Sequence, residues 1–324
     1  MGTFKNCWYV ISIILILVTS SGCKKDKKIS TKINSDGSCV RTISVCPASD
    51  TSSSFPIPTD NSWKTRIEGD TEKVFVASKL FDNVIQMNDE FKNKSKFEIH
   101  IQFEKRFRWF STYYNFGETY KSIMQFSRIP IQNFLTKEEF ALYEKGDTSK
   151  LLKDRLDEFF KANIYEEFYG LLIDSAKILN DPSISPNIFI SKRPKIDFDE
   201  IKHDTKDVIK HLEIALGLKL RGKLDRQIDG IMKSIDEKIE FMMNASGNYT
   251  SEVEMPGIII SSNADSTAEN KVSWNYTEDK FSFSDFTMLV ESRITNLWAI
   301  YTTVGVIVII LTILFLPLWR RKQI

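Results

Sequence analysis

The segment DEIKHDTKDVIKH sets His203, Asp207 and His211 at successive spacings of four. On a helix each such step drifts by about 40°, so the three side chains share a stripe and could ligate a divalent metal. A single helix seldom completes a metal site. Lys202, Lys206 and Lys210 flank the trio, so it reads first as a solvated polar face. A second cluster lies in FEKRFRWFSTYYNF. There Arg106 and Arg108 stand near Trp109, Phe110, Tyr113 and Tyr114, a mixture of cations and rings that could hold an anionic headgroup. Its competing reading is a cationic strand face beside packed aromatics. No G-x-S-x-G, Walker A, H-E-x-x-H, C-x-x-C or G-x-G-x-x-G pattern occurs. An enzyme is therefore not expected, nor a cofactor.

The elements that must position these residues follow from periodicity. Short strand-like runs at Ile29–Ile33 and Cys39–Val45 flank Asp36-Gly37, a hairpin signal. Phe97–Phe107 alternates, with Phe97, Ile99, Ile101, Phe103 and Phe107 on one face and Glu98, His100, Gln102, Glu104, Arg106 and Arg108 on the other. A further strand-like run covers Thr119–Phe126. Helical spacing predicts helices over Val74–Phe91, Ser149–Leu179, Phe198–Leu216 and Leu224–Met243, and Thr136 with Glu139 forms a capping box. Strands return at Tyr249–Ile260, Lys271–Tyr276 and Phe281–Val290. The fold class expected is α+β: an antiparallel sheet of N- and C-terminal strands, a helical insertion, and one C-terminal transmembrane helix. The divisions read as 1–22 signal peptide, 23–28 lipidated linker, 29–128 N-terminal strands and helix, and 129–245 helical insertion. Then come 246–293 C-terminal strands, 297–319 transmembrane helix and 320–324 cytoplasmic tail.

Both ends of the chain speak of a membrane. Leu297–Trp319 holds 23 residues without a charge, about 35 Å of helix against a hydrocarbon core of about 30 Å. Trp298, Tyr301 and Trp319 suit its interfaces. Arg320, Arg321 and Lys322 follow it and only Arg293 precedes it, which places the C-terminus in the cytoplasm. At the other end, Trp8–Val18 is an apolar run of 11 residues, the length of a signal-peptide core rather than a span. Small residues then lead to Gly22-Cys23. This resembles the lipobox of bacterial lipoproteins, with Ser20 where an apolar residue is usual, and implies lipid on Cys23. The alternative is an ordinary signal peptide or uncleaved anchor with Cys23 a bystander. An uncleaved helix followed by Lys24, Lys25, Lys27 and Lys28 would invert the topology, a conflict that cleavage before Cys23 removes. Lysines beside a lipid anchor can contact anionic headgroups. Only Lys24–Lys28 separate Cys23 from the first strand, at most ~18 Å. The opening and final strands are therefore expected near the bilayer at one end of a shared sheet.

A net charge of +1 with no basic stripe makes nucleic acid an unexpected partner. Cys39 and Cys46 lie seven apart in one predicted strand, facing opposite sides, a geometry that opposes a bridge.

VEMPGIIISSNADSTAENKVSWNY, through Pro256, Gly257, Asn263, Val272 and Trp274, resembles the LppM-like domain of bacterial envelope lipoproteins, and INSDGSCVRTISV resembles that family's opening hairpin. FEKRFRWFSTYYNFGETY is similar to a segment of uncharacterised Bacteroidetes lipoproteins. The resemblance covers the two ends and not residues 130–245. It implies an α+β sheet and an envelope location, and it carries over no catalytic residue. The combined expectation is a non-enzymatic interaction or scaffold protein of envelope maintenance. It would be held in the inner membrane with a periplasmic ectodomain and meet an envelope protein or lipid. The alternative is a protein that binds lipid or a hydrophobic ligand in an enclosed cavity.

Overall fold

Alternating side chains fold the first described residues into a hairpin of β1 (Asp26–Ile33) and β2 (Cys39–Cys46). Its turn runs through Gly37 at φ 97°, a conformation glycine adopts without strain. The structure is a computed structural model and describes residues 26–46, 48, 61–70, 73–94, 97–147, 149–179, 181–193 and 205–321. Cys23 and His203 lie outside the described residues, as do Lys24, Lys25 and Lys322. The described residues form α+β architecture in two compact units. One, the strand unit, takes its residues from Lys25–Lys121, Gly247–Thr277 and Ser284–Ile324. The other, the helical unit, holds Ser122–Ser246 and Glu278–Phe283.

The strand unit contains two sheets rather than one. The remaining strands are β3 (Lys64–Glu68), β4 (Val74–Phe81), β5 (Ile99–Arg108), β6 (Ser111–Tyr120), β7 (Asn248–Glu254), β8 (Ile258–Ser262), β9 (Ser266–Ala268), β10 (Lys271–Thr277) and β11 (Phe286–Thr295). Seven strands run in the order β3-β4-β2-β1-β7-β10-β9, and four in the order β5-β6-β11-β8. Every pairing is antiparallel except β1 with β7, which is parallel. Tyr249–Ile260 reads as one strand in the sequence, but the chain changes sheet inside it, at Pro256-Gly257. Gly257 sits at φ +86°, and a Cβ there would come within 2.4 Å of the Arg293 carbonyl oxygen, so only glycine fits the crossing. Asn263 secures the same corner. Its Nδ2 donates to the Thr287 carbonyl, and its Oδ1 accepts from Trp274 Nε1 and Leu289 N. The Pro-Gly, Asn and Trp residues that carry the LppM-like resemblance are thus joints between strands.

Val74–Phe91 is not one helix. Val74–Phe81 is strand β4, paired on both sides with β2 and β3. The helix α1 spans Val84–Lys94, with Asn83 Oδ1 accepting from Gln86 N. The apparent helical face through Phe75, Leu80 and Val84 is coincidental, since Leu80 is exposed while Val76, Ala77 and Phe81 are buried. The run Thr119–Phe126 stops being strand at Tyr120. Cys39 and Cys46 occupy opposite ends of β2, and no disulfide joins them. Burial pushes the Cys39 thiol up to about 11, which keeps it an inert packing group.

The helical unit holds α2 (Lys137–Glu144), α3 (Lys150–Leu179), α4 (Pro186–Lys192), α5 (Thr205–Leu216), α6 (Asp225–Asn244) and the short α7 (Asp279–Ser282). Leu152, Leu156, Phe159, Ile164, Phe168 and Leu172 of α3 are buried, as are Ile228, Ile231 and Ile235 of α6. The periodicity predicts these faces, and each such side chain withdrawn from water contributes about 1.5–3 kcal/mol before chain entropy is charged against it. A last helix, α8 (Leu297–Arg321), belongs to the strand unit.

Candidate functional site

The two described members of the metal trio, Asp207 and His211, are exposed on α5. Among the described residues no group of three His, Cys, Asp or Glu is placed to hold a metal. The Arg106 cluster is divided by its own sheet. Arg106 and Arg108 are exposed on one face, where Arg106 lies 3.6 Å from both Glu104 and Glu291. Tyr114 pairs with Lys105 across the β5–β6 ladder and is buried on the other face, stacked on Phe103. One turn therefore cannot present all four residues to a single ligand, because strand side chains alternate.

What the fold does assemble there is a junction between a hairpin and a helix. Trp109 and Phe110 form the tip of the β5–β6 hairpin. Phe107, Trp109 and Phe110 are 59%, 46% and 50% exposed. One residue, Asn296, separates β11 from α8. Its Nδ2 donates to the carbonyls of Arg108 and Trp109, and its backbone N–H donates to that of Phe110. Its Oδ1 accepts from Thr112, and its own carbonyl accepts from Ala299 N and Ile300 N at the start of α8. A single buried side chain thus satisfies the turn of one element and leads into the next. Rings close the remaining gap. Phe107 stacks on Trp298, Trp109 meets Trp298 edge to face at 5.2 Å, and Trp109 Nε1 donates to Thr303 Oγ1 at 2.9 Å. Asn296 escapes sequence reading because it looks like linker. Its one signal is a lone carboxamide between a strand and a long apolar run.

Between the two sheets of the strand unit lies a polar interior that the sequence reading does not anticipate. Arg41 of β2 forks onto Glu118 of β6 at 2.5 and 2.8 Å and donates to Thr31 of β1. Arg41 and Glu118 are each 1% exposed. Burial disfavours the guanidinium charge, but Glu118 outweighs it and holds the Arg41 pKa above its ordinary value. Lys27 is also buried, its Nζ 3.2 Å from the Tyr249 hydroxyl, and Lys28 pairs with Glu252 on the opposite face. Both lysines are engaged by the sheet, Lys27 in its interior and Lys28 at its surface.

A row of side chains along one sheet, with one contact to the other, also fixes the ends of the unit. Lys27 touches Tyr249, Tyr249 stacks on Tyr276, and Tyr276 packs on Phe286, the first residue of β11. The ten residues of β11 then run to α8, about 33 Å. The start of β1 therefore stands at the far end from α8. The expectation that both tethers fix one end is corrected on this point. β1 begins at Asp26, so residues 24 and 25 alone link it to Cys23, a reach of at most ~11 Å.

No protein-family model and no curated protein matches this chain. Of solved structures, the NMR structure of the folded domain of Mycobacterium tuberculosis LppM resembles it weakly, at 8% identity and a TM-score of 0.30. The likeness covers 84% of this chain and 91% of that one. Nothing among them supports a Bacteroidetes origin.

Proposed function

We infer that this is a membrane-tethered envelope protein that presents its strand unit at a bilayer surface and acts by interaction rather than by catalysis. The observation that carries this reading is the continuity of β11 and α8. A predominantly apolar, uncharged run of 19 residues, Leu297–Phe315, projects with its side chains largely exposed. It joins a strand seated between β6 and β8 through Asn296 alone. An exposed apolar helix of that length calls for lipid around it, and its stiff attachment would make the unit follow the helix. The basic residues after Trp319 favour a cytoplasmic C-terminus in the inner membrane with the units on the periplasmic side. The alternative, an enclosed apolar ligand, draws less support, since the space between the sheets holds Arg41 and Glu118.

Lipid on Cys23 remains part of this proposal as a second anchor. Given the reach of residues 23–25, it would meet the bilayer around α8 only if the strand unit lay along the surface. Extraction tests the tether. The full chain should stay in membranes at alkaline pH, a chain ending at Asn296 should stay only through lipid on Cys23, and the same truncation with Cys23→Ser should be released. Release of the full chain would overturn the reading.

A further inference from the structure

We propose that the tip of the β5–β6 hairpin is a lipid-inserting foot, seated in the same leaflet as α8. This rests on the reading of α8 as a span and deepens it by naming the lipid surface as the partner of Phe107, Trp109 and Phe110.

The helix α8 continues to Arg321, and its first charges after Leu297 are Arg320 and Arg321. Measured back from Arg320, a hydrocarbon core of about 30 Å takes about 20 residues at ~1.5 Å each and begins near Ile300. If the core began only after Thr303, the 16 residues Val304–Trp319 would supply about 24 Å and fall short of it. The span therefore needs Thr303 below the hydrocarbon boundary, by about 5 Å. The Trp109 indole donates to Thr303 Oγ1, so the hairpin tip is held at that depth.

The chemistry of the tip suits the position. Non-helical backbone is tolerated at membrane depth only where its polar groups are satisfied. The carbonyls of Arg108, Trp109 and Phe110 all accept from Asn296. The Thr303 hydroxyl that accepts from the indole N–H donates in turn to the Ala299 carbonyl at 2.7 Å. Apart from Arg108, whose guanidinium can snorkel toward the headgroups, the exposed groups at the tip are aromatic rings, which favour the interface, and Trp298 stands beside them on α8, where Tyr301 is exposed as well. Arg106 lies three strand residues back, at most about 10 Å from the tip and within reach of the headgroups, where a guanidinium can meet phosphate while its stem stays in apolar surroundings. The exposed aromatics thus continue the apolar surface of the span.

Tryptophan fluorescence of the full chain in phosphatidylcholine vesicles tests the foot. The difference between wild type and Trp109→Phe isolates the emission of Trp109. We expect lipids brominated near the middle of the acyl chain to lower that emission more than about twofold, and aqueous iodide to leave it unchanged. Phe110→Trp keeps every contact of Trp109 and adds a reporter at the tip, which should behave alike. Quenching by iodide and not by brominated lipid would show a tip in water and overturn the foot. Protection from both would show a tip covered by protein, a second copy included, and would also overturn it. Alkaline extraction of the same vesicles separates the two readings. A chain that washes out has lost the span itself, whereas a chain that stays with a water-exposed Trp109 has lost only the foot.

Discussion

In the helical unit, Glu167 is nearly withdrawn from water and is met by Arg128 and Lys238, whose own side chains remain 45% and 28% exposed. In the strand unit, Arg41 and Glu118 are both out of water, and the pair ties a strand of one sheet to a strand of the other. The two arrangements differ in who solvates the charge. Around Glu167 the cations stay hydrated and the desolvation cost falls on one group. Between the sheets, two ions give up water, and their mutual attraction repays that cost only because the fork is bidentate and Thr31 takes a further hydrogen bond. A buried pair is weak evidence for stability, but removing one partner strands the other. The lesson concerns register. An apolar interior accepts small slips between sheets, whereas a fork locked to one carboxylate does not.

Arg41→Met gives the largest expected effect. It leaves Glu118 buried beside an apolar chain and should destabilise the strand unit by about 3–5 kcal/mol. Hydrogen exchange of β2 and β6 in detergent would read this, with the helical unit's amides unchanged. Arg41→Met combined with Glu118→Leu should restore most of the loss, because apolar replacement of a whole buried pair is often close to neutral. A single variant with wild-type exchange in β2 and β6 would mean that water reaches the pair, and the contrast between the units would fall.

That interior shows where the sequence stops being legible. The helical faces are readable because Leu224, Ile228, Ile231 and Ile235 repeat at the helical period and pack inward. The opening hairpin is readable from Asp36-Gly37, and the α+β class from the order of runs. Arg41 is hidden in plain view. It stands among Cys39, Ile43 and Val45, the buried positions of β2, and an arginine on an apolar face marks either an error of phase or a buried ion pair. Glu118 sits likewise between buried Phe116 and Tyr120. Pairing the two requires knowing that β2 and β6 belong to facing sheets, and that depends on the change of sheet at Gly257. The hairpin–helix junction is harder still. Arg106, Arg108 and Trp109 are adjacent in sequence, so they read as one cluster. The residues that complete the tip, Asn296, Trp298 and Thr303, lie nearly 190 positions away and are reached only through β11.

Glu167→Gln is the intermediate case. Burial alone would raise the Glu167 pKa, but hydrogen bonds from Lys238 and Arg128 outweigh it and hold the carboxyl below its ordinary value. A depressed carboxylate pKa contributes stability that is complete above the unfolded value, about 4.3, and is lost as pH falls through the folded value. The helical unit should therefore weaken as pH drops below about 4.3. Glu167→Gln should cost about 2 kcal/mol at neutral pH and flatten the acid limb of an exchange or urea profile. The strand unit's response to acid should be the same in both proteins. An unchanged acid limb would remove Glu167 from the account and leave Arg128 and Lys238 as ordinary surface cations.

The smallest effect belongs to a polar contact that water can replace. Thr136 caps α2: its hydroxyl accepts from Glu139 N, and the Glu139 carboxylate accepts in turn from Thr136 N. Arg155 also donates to that carboxylate, from α3, so the cap links two helices. Thr136→Ala removes the hydroxyl but leaves the ion pair, and the exposed amide it uncovers finds water. The expected loss is about 1 kcal/mol, confined to faster exchange over Lys137–Glu144. The order Arg41, Glu167, Thr136 is then an order of decreasing desolvation of the groups left behind. If Thr136→Ala proves as costly as Arg41→Met, access of water does not set the scale, and the strand unit's interior needs another explanation.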